Sequence, residues 1–156
     1  MKRGKGSEPL AFKIAVESTT DISGCYRPGL KALGVYSNKI SVSDTSQLQG
    51  SVDIDSCTSK KYTTENRWDY VLAYKSEVYF VEVHGAKTDE VRTIIRKLQW
   101  LKNWLVKEAP EINKMKSKTK PYIWIQSNDF QILKSSPQYR QAILKGILPL
   151  KIFRVD

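Results

Sequence analysis

Two runs of β-branched and aromatic residues, Trp68–Tyr74 and Val78–His84, stand three residues apart, and a long amphipathic segment follows the second. Runs of this composition around a short polar turn form a β-hairpin. In the following segment Val91, Ile94, Ile95, Leu98, Leu101 and Leu105 recur at helical spacing, with Arg92, Arg96, Asn103 and Lys107 on the opposite side. Thr88 is expected to cap this helix, with Asp89 and Glu90 in its first turn at the positive end of the dipole, and Pro110 to end it. A strand pair must bury one face and such a helix one stripe, so the two are expected to cover each other.

The rest of the chain reads around that unit. Leu10–Glu17 alternates like a strand but is short enough to open a helix, and both readings stay open. Ser18–Lys39 is rich in Gly, Ser, Thr and Pro and reads as mostly irregular, with a short helix near Leu30–Leu33. Gly50–Asp55 reads as a strand with Asp53 and Asp55 on one face and Val52 and Ile54 on the other, followed by a polar loop over Ser56–Asn66. Beyond the long helix come a basic connector (Lys114–Lys120), a short buried strand (Tyr122–Gln126), a helix over Gln138–Leu144 opened by Pro137, and a last strand (Lys151–Val155). Residues 1–8 read as a loose basic tail. At 156 residues the chain is expected to be a single α/β domain, 1–156, with a central sheet covered by helices.

Charge and rare residues narrow the chemistry. Lys and Arg exceed Asp and Glu by a formal +10, which points to an anionic partner, nucleic acid ahead of an anionic membrane surface. No apolar run approaches the ~20 residues of a membrane span, and no apolar leader segment follows the basic start, so no membrane association is expected. His84 is the only histidine. That removes HExxH motifs and multi-histidine metal cages, and a catalytic triad would have to be built on His84. Cys25 and Cys57 are too few for a disulfide framework or a four-cysteine zinc site, and read as idle thiols of a reducing, cytoplasmic compartment.

The hairpin carries the constellation of interest. A two-residue loop at Lys75 and Ser76 pairs Tyr74 with Glu77 and, counting back along both strands, Asp69 with Glu82. Directly opposed residues share a sheet face with Cβ atoms about 4.5–5.5 Å apart, and alternation adds His84 to that face. Val78 and Phe80 share it too, so the face is expected to be covered and Glu82 to need a partner. Facing carboxylates repel unless a cation or proton lies between them. The set suits a hard divalent ion such as Mg²⁺, which takes few carboxylates and keeps several waters. A slip of one residue would separate the two acids.

From Asp69 to His84 the sequence resembles the signature of the PD-(D/E)xK nuclease superfamily, the restriction-endonuclease-like fold. That family carries an Asp at the start of the second core strand, then a Glu or Asp, one spacer and a Lys on the third, with a helix following. Asp69 matches the first acid, Glu82 the second and Val83 the spacer; His84 stands in the lysine position, and Trp68 where the family has a proline. By order of elements the resemblance extends over residues 50–155. It implies a central mixed β-sheet flanked by α-helices. It also implies a lysine that positions the attacking water and stabilises developing charge. Here that lysine would come from elsewhere, with Lys87 and Lys97 nearest, or His84 would take its place.

The resemblance and the hairpin together give a set of expectations. Asp69, Glu82, His84 and Lys97 are the catalytic candidates, and Asp69, Glu82 and Asp55 are the ligands for Mg²⁺ or Mn²⁺. The expected activity is metal-dependent hydrolysis of nucleic-acid phosphodiesters, DNA or RNA. The alternative is a catalytically inactive nuclease-fold module that binds nucleic acid or a protein partner, with residues 10–49 as the protein-facing surface; a homodimer is also open. Trp100 and Trp104 lie off the helix stripe beside Lys97 and are expected to pack under a neighbouring element rather than stack on bases.

Overall fold

The computed structural model describes residues 11–156. The basic tail read at residues 1–8 lies outside the described residues.

The open end of the chain resolves to a helix, α1, over residues 11–17. Phe12, Ala15 and Val16 are buried, and that i, i+3, i+4 spacing belongs to a helix face rather than a strand. The stretch to Lys39 contains two 3₁₀ segments, Thr20–Ile22 and Lys31–Lys39, and then β1 runs over Ile40–Val42.

Strand β2 spans Leu48–Asp53. It stops two residues short of the expected end. Asp53 is the last strand residue, and Asp55 does not share its sheet face. The Asp53 carboxylate accepts from Ser56 N at 2.9 Å and caps helix α2, Ile54–Thr58, so Asp55 sits in that helix's first turn. Gly50 sits at a register irregularity with φ 136°, and a Cβ there would meet the Tyr26 ring at 2.4 Å. Only glycine lets Tyr26 lie this close to the strand.

The hairpin forms as the sequence demands. Strand β3 is Tyr70–Tyr74 and β4 is Glu77–Lys87, with Tyr74 opposite Glu77 and Tyr70 opposite Val81. Lys75, the first of two loop residues, has φ 57°, the sign a tight hairpin turn requires there. Strand β4 continues past His84 through a register irregularity between His84 and Ala86.

Thr88 does not cap the long helix. Its hydroxyl accepts from Leu133 N at 2.9 Å, and Thr88–Glu90 form a 3₁₀ turn before helix α3, Val91–Glu108. The expected stripe is buried at Val91, Ile94, Leu98, Leu101 and Leu105, and half-buried at Ile95. Helix α4, Pro110–Asn113, follows directly, and β5, Tyr122–Gln131, runs parallel to β4. Helix α5, Pro137–Leu144, is capped by Ser136, which accepts from Tyr139 N at 3.1 Å. The last strand, β6, Phe153–Val155, pairs in parallel with β1 in a second, two-stranded sheet.

The architecture is therefore mixed α/β, with a four-stranded sheet in the order β2-β3-β4-β5 and a small parallel sheet β1-β6. Alternation splits the strands between two cores. Val71, Ala73, Val78, Phe80 and Trp124 pack with α1 and α3, whereas Leu72, Tyr74, Val81, Ile123 and Ile125 pack with β1 and β6. Among the described residues no helix is long and apolar enough to cross a membrane.

The cysteines are not idle thiols. Cys25 and Cys57 form a disulfide that ties α2 to the segment after α1, with Cα atoms 6.5 Å apart. Such bonds persist in oxidising surroundings, so the thiols no longer support a reducing compartment.

Trp100 and Trp104 pack, as expected. Their rings stack 5.7 Å apart, and Trp104 is 4% exposed. Glu65 accepts from Trp100 Nε1 at 2.6 Å, and Asp21 accepts from Trp104 Nε1 at 3.0 Å, Tyr62 Oη at 2.5 Å and Lys61 Nζ at 2.8 Å. Burial alone would raise the Asp21 pKa, but these three donors outweigh it and hold it below 3.8. The same contact and burial push the Tyr62 hydroxyl up to about 12. Asp21→Ala strands two covered donors and should cost about 3 kcal/mol at pH 7. A carboxylate with a lowered folded pKa contributes fully above its unfolded value and loses that contribution as pH falls through the folded one. The gap in urea stability between wild type and Asp21→Ala should therefore persist down to about pH 3.8 and close below it. A gap that does not depend on pH would show that the ionised carboxylate is not what matters.

Candidate functional site

The site grows out of the β3–β4 register. With Tyr70 opposite Val81, the next position back places Asp69 beside Glu82. Each acid uses one oxygen to hold the neighbouring strand. Asp69 N donates to Glu82 Oε1 at 3.0 Å, and Val83 N donates to Asp69 Oδ2 at 3.0 Å. The two remaining oxygens, Asp69 Oδ1 and Glu82 Oε2, converge on one cation, the Lys97 ammonium. Lys97 donates to Glu82 Oε2 and lies 3.6 Å from Asp69 Oδ1.

Helix α3 supplies that lysine because it covers the Val78–Phe80–Glu82 face of β4. Glu82 is fully buried, and the Asp69 and Lys97 side chains are 19% and 16% exposed, so the cluster opens to solvent at one side. Burial is the largest effect on Glu82 and raises its pKa well above 4.5, with the charge of Asp69 adding to it against the pull of Lys97. Burial likewise raises Asp69, Lys97 and the Val83 amide oppose it, and Asp55 and Asp53 push it further up. Burial would lower Lys97, but Glu82 and Asp69 outweigh it and hold the ammonium protonated above 10.5.

His84 joins the cluster from the same strand face. Its Nδ1 lies 3.7 Å from Glu82 Oε2, and its Nε2 is 2.7 Å from Glu90 Oε1. Nε2 thus faces Glu90, and Nδ1 is the ring nitrogen turned toward Glu82. Glu90 is a functional candidate that the sequence did not reveal. It sits in the 3₁₀ turn between β4 and α3, at the N-terminal edge of the helix, and no periodicity marks it.

Asp55 is near but not in the cluster. Its strand assignment failed, and from α2 its carboxylate takes Arg67 Nε at 2.8 Å. Its charge still reaches Asp69 and Lys97. Lys87 is exposed at the end of β4 and is not among the cations that reach the carboxylates. Sequence reasoning thus assembled Asp69, Glu82, His84 and Lys97, missed Glu90, and placed Asp55 on the wrong kind of element.

The donor set bears on which cation it can take. Among the described residues no three His, Cys, Asp or Glu side chains form a ready-made metal cage. The point on which Asp69 Oδ1 and Glu82 Oε2 converge is taken by the Lys97 ammonium, and the cluster is partly open to solvent. Two carboxylate oxygens do not fit zinc, which asks for four closely held protein ligands at a structural site.

No protein-family model matches the chain, and no curated protein and no solved structure is significantly similar to it.

Proposed function

We propose that the chain is a divalent-metal-dependent phosphodiester hydrolase acting on nucleic acid, built on a restriction-endonuclease-like sheet with the motif lysine moved to helix α3. One observation carries this reading. Asp69 and Glu82 each spend one oxygen on the opposite strand and turn the other toward a common point, where Lys97 already places a positive charge. The order antiparallel β2-β3-β4 followed by parallel β5, with one acid just before β3, the other on β4 and the helix over them, supports the same reading.

Asp69 Oδ1 and Glu82 Oε2 would hold Mg²⁺ or Mn²⁺. The ion would polarise the phosphodiester and acidify a bound water. Lys97 displaced only slightly from its present contact puts an ammonium beside a phosphoryl oxygen as charge builds on it. His84, oriented by Glu90, presents Nδ1 to accept a proton at the solvent-open side of the cluster.

The test is cleavage of single- and double-stranded DNA and RNA by purified protein with Mg²⁺ or Mn²⁺. Cleavage should vanish with EDTA and in Asp69→Asn. Both carboxyl pKa values are raised, and a protonated acid does not bind the ion. Activity and Mn²⁺ affinity should therefore both fall with acid at a pH above the usual carboxylate range. Cleavage that survives in Asp69→Asn removes the assignment.

A further inference from the structure

A second cationic feature lies on the other flank of α3. Lys102 of that helix, Lys120 before β5 and Lys145 at the end of α5 line one surface cavity of about 400 Å³, together with Thr119 and Tyr122. Five residues separate Lys102 from Lys97, which is about 7.5 Å along the helix axis and about 140° around it. The cavity is therefore distinct from the carboxylate–lysine cluster.

Three features distinguish it from an ordinary basic surface. First, its charges stand alone. No acid lines the cavity, and among the described residues none lies within salt-bridge distance of Lys102, Lys120 or Lys145. Second, the cations crowd one another. The Lys102 pKa is lowered from 10.5, by burial first and then by the charges of Lys145 and Lys116. Third, the walls are built. Lys102 Nζ lies over the Tyr122 ring, 5.2 Å from its centroid. The Lys120 loop is pinned because the buried Ser117 hydroxyl accepts from Thr119 N at 3.3 Å and Lys120 N at 3.4 Å. Ser117 itself is tied to β4 through its N–H to Val78 O at 2.9 Å. The fold thus gathers three lysines around one concave place with no acid in its walls, an arrangement that an anion would neutralise.

We propose that this cavity is a phosphate-binding subsite that grips the backbone of a nucleic acid away from the point of cleavage. The proposal rests on the nucleic-acid reading above and deepens it. Lysines suit the role because they contact phosphates as point charges without reading sequence.

The test separates binding from cleavage. Fluorescence anisotropy with a labelled duplex oligonucleotide is run in EDTA, so the result stands whether or not the protein cuts. Wild type is compared with Lys102→Gln/Lys120→Gln/Lys145→Gln, and with a control that removes the same charge at the exposed Lys60, Lys134 and Lys151. The cavity variant should bind at least about tenfold more weakly at 0.1 M salt, and its log–log salt slope should be shallower by about 2.7, which is three phosphate contacts at about 0.9 each. The control should keep most of the affinity. Equal losses in cavity variant and control overturn the proposal, because they mean net charge alone. Unchanged binding in the cavity variant also overturns it. Vesicles containing phosphatidylserine are the third arm: if the cavity variant loses vesicle binding but keeps oligonucleotide binding, the ligand is a lipid headgroup and the nucleic-acid assignment falls. The melting temperature of the cavity variant should stay level or rise as the repulsion is relieved. A fall would show that these lysines do not repel one another in the free protein.

Discussion

A Lys97→Met chain is expected to lose about 3–5 kcal/mol of stability at neutral pH and about 10²–10³-fold in kcat for phosphodiester cleavage. The stability loss follows from burial. Glu82 is fully buried and Asp69 half-buried, and without the ammonium their two charges face each other with no cation between them. Restoring neutrality then requires a proton on Glu82, so its folded pKa, already raised, climbs further. A carboxyl whose folded pKa lies above its unfolded value stabilises the fold at low pH and loses that contribution as pH rises through the folded value. The deficit of Lys97→Met in urea should therefore be small at pH 4 and grow toward pH 7.5. Adding Glu82→Gln should recover much of it, because the amide needs no counter-ion. The loss in rate has a different origin and a separate readout. Mn²⁺ affinity of Lys97→Met should hold or improve, because the ammonium no longer competes for Asp69 Oδ1 and Glu82 Oε2, while kcat falls. Full cleavage with intact metal affinity would reduce Lys97 to a structural counter-ion.

The hairpin and its facing acids were legible because local rules determine them. A two-residue turn leaves one register, and that register alone puts Asp69 beside Glu82. Lys97 was legible only as one of two lysines near the strand. Which one reaches the acids depends on α3 lying across the Val78–Phe80–Glu82 face, and that is a matter of tertiary packing. Asp55 was misplaced because Asp53-Ile54-Asp55 alternates like a strand, while the Asp53–Ser56 pair also spells a helix cap, and the cap won. Glu90 was legible as a first-turn acid of the helix but not as a partner of His84, because that contact depends on how the 3₁₀ turn folds back on β4. The pairing of β1 with β6 and the Cys25–Cys57 bond join segments far apart in the chain, where no local pattern speaks.

That bond gives the second large expected effect. It joins residues 32 apart in sequence, and closing a loop of this length in the unfolded chain is worth about 4 kcal/mol by chain entropy. For a chain of this size that corresponds to a melting temperature lower by about 8–16 °C in Cys25→Ser/Cys57→Ser, and by a similar amount in wild type under reducing agent. The loss should be uneven across the molecule. The bond clamps α2, and α2 carries Asp55, which holds Arg67 at 2.8 Å; Arg67 in turn donates to Tyr62 O at 2.6 Å. The carboxylates that converge on Lys97 are held by the Asp69 and Val83 amides, and α2 reaches the site only at its start, where Ile54 N and Asp55 N donate to Asp69 O at 2.8 and 3.2 Å beside the Asp53–Tyr70 strand pairing. Reduction should therefore raise amide exchange across residues 54–67 while leaving exchange in β4, and Mn²⁺ affinity at Asp69 and Glu82, near the oxidised values. Equal melting curves with and without reductant would mean that the cysteines are not joined in solution. Loss of metal affinity together with the bond would mean that α2, and with it Asp55, belongs to the site after all.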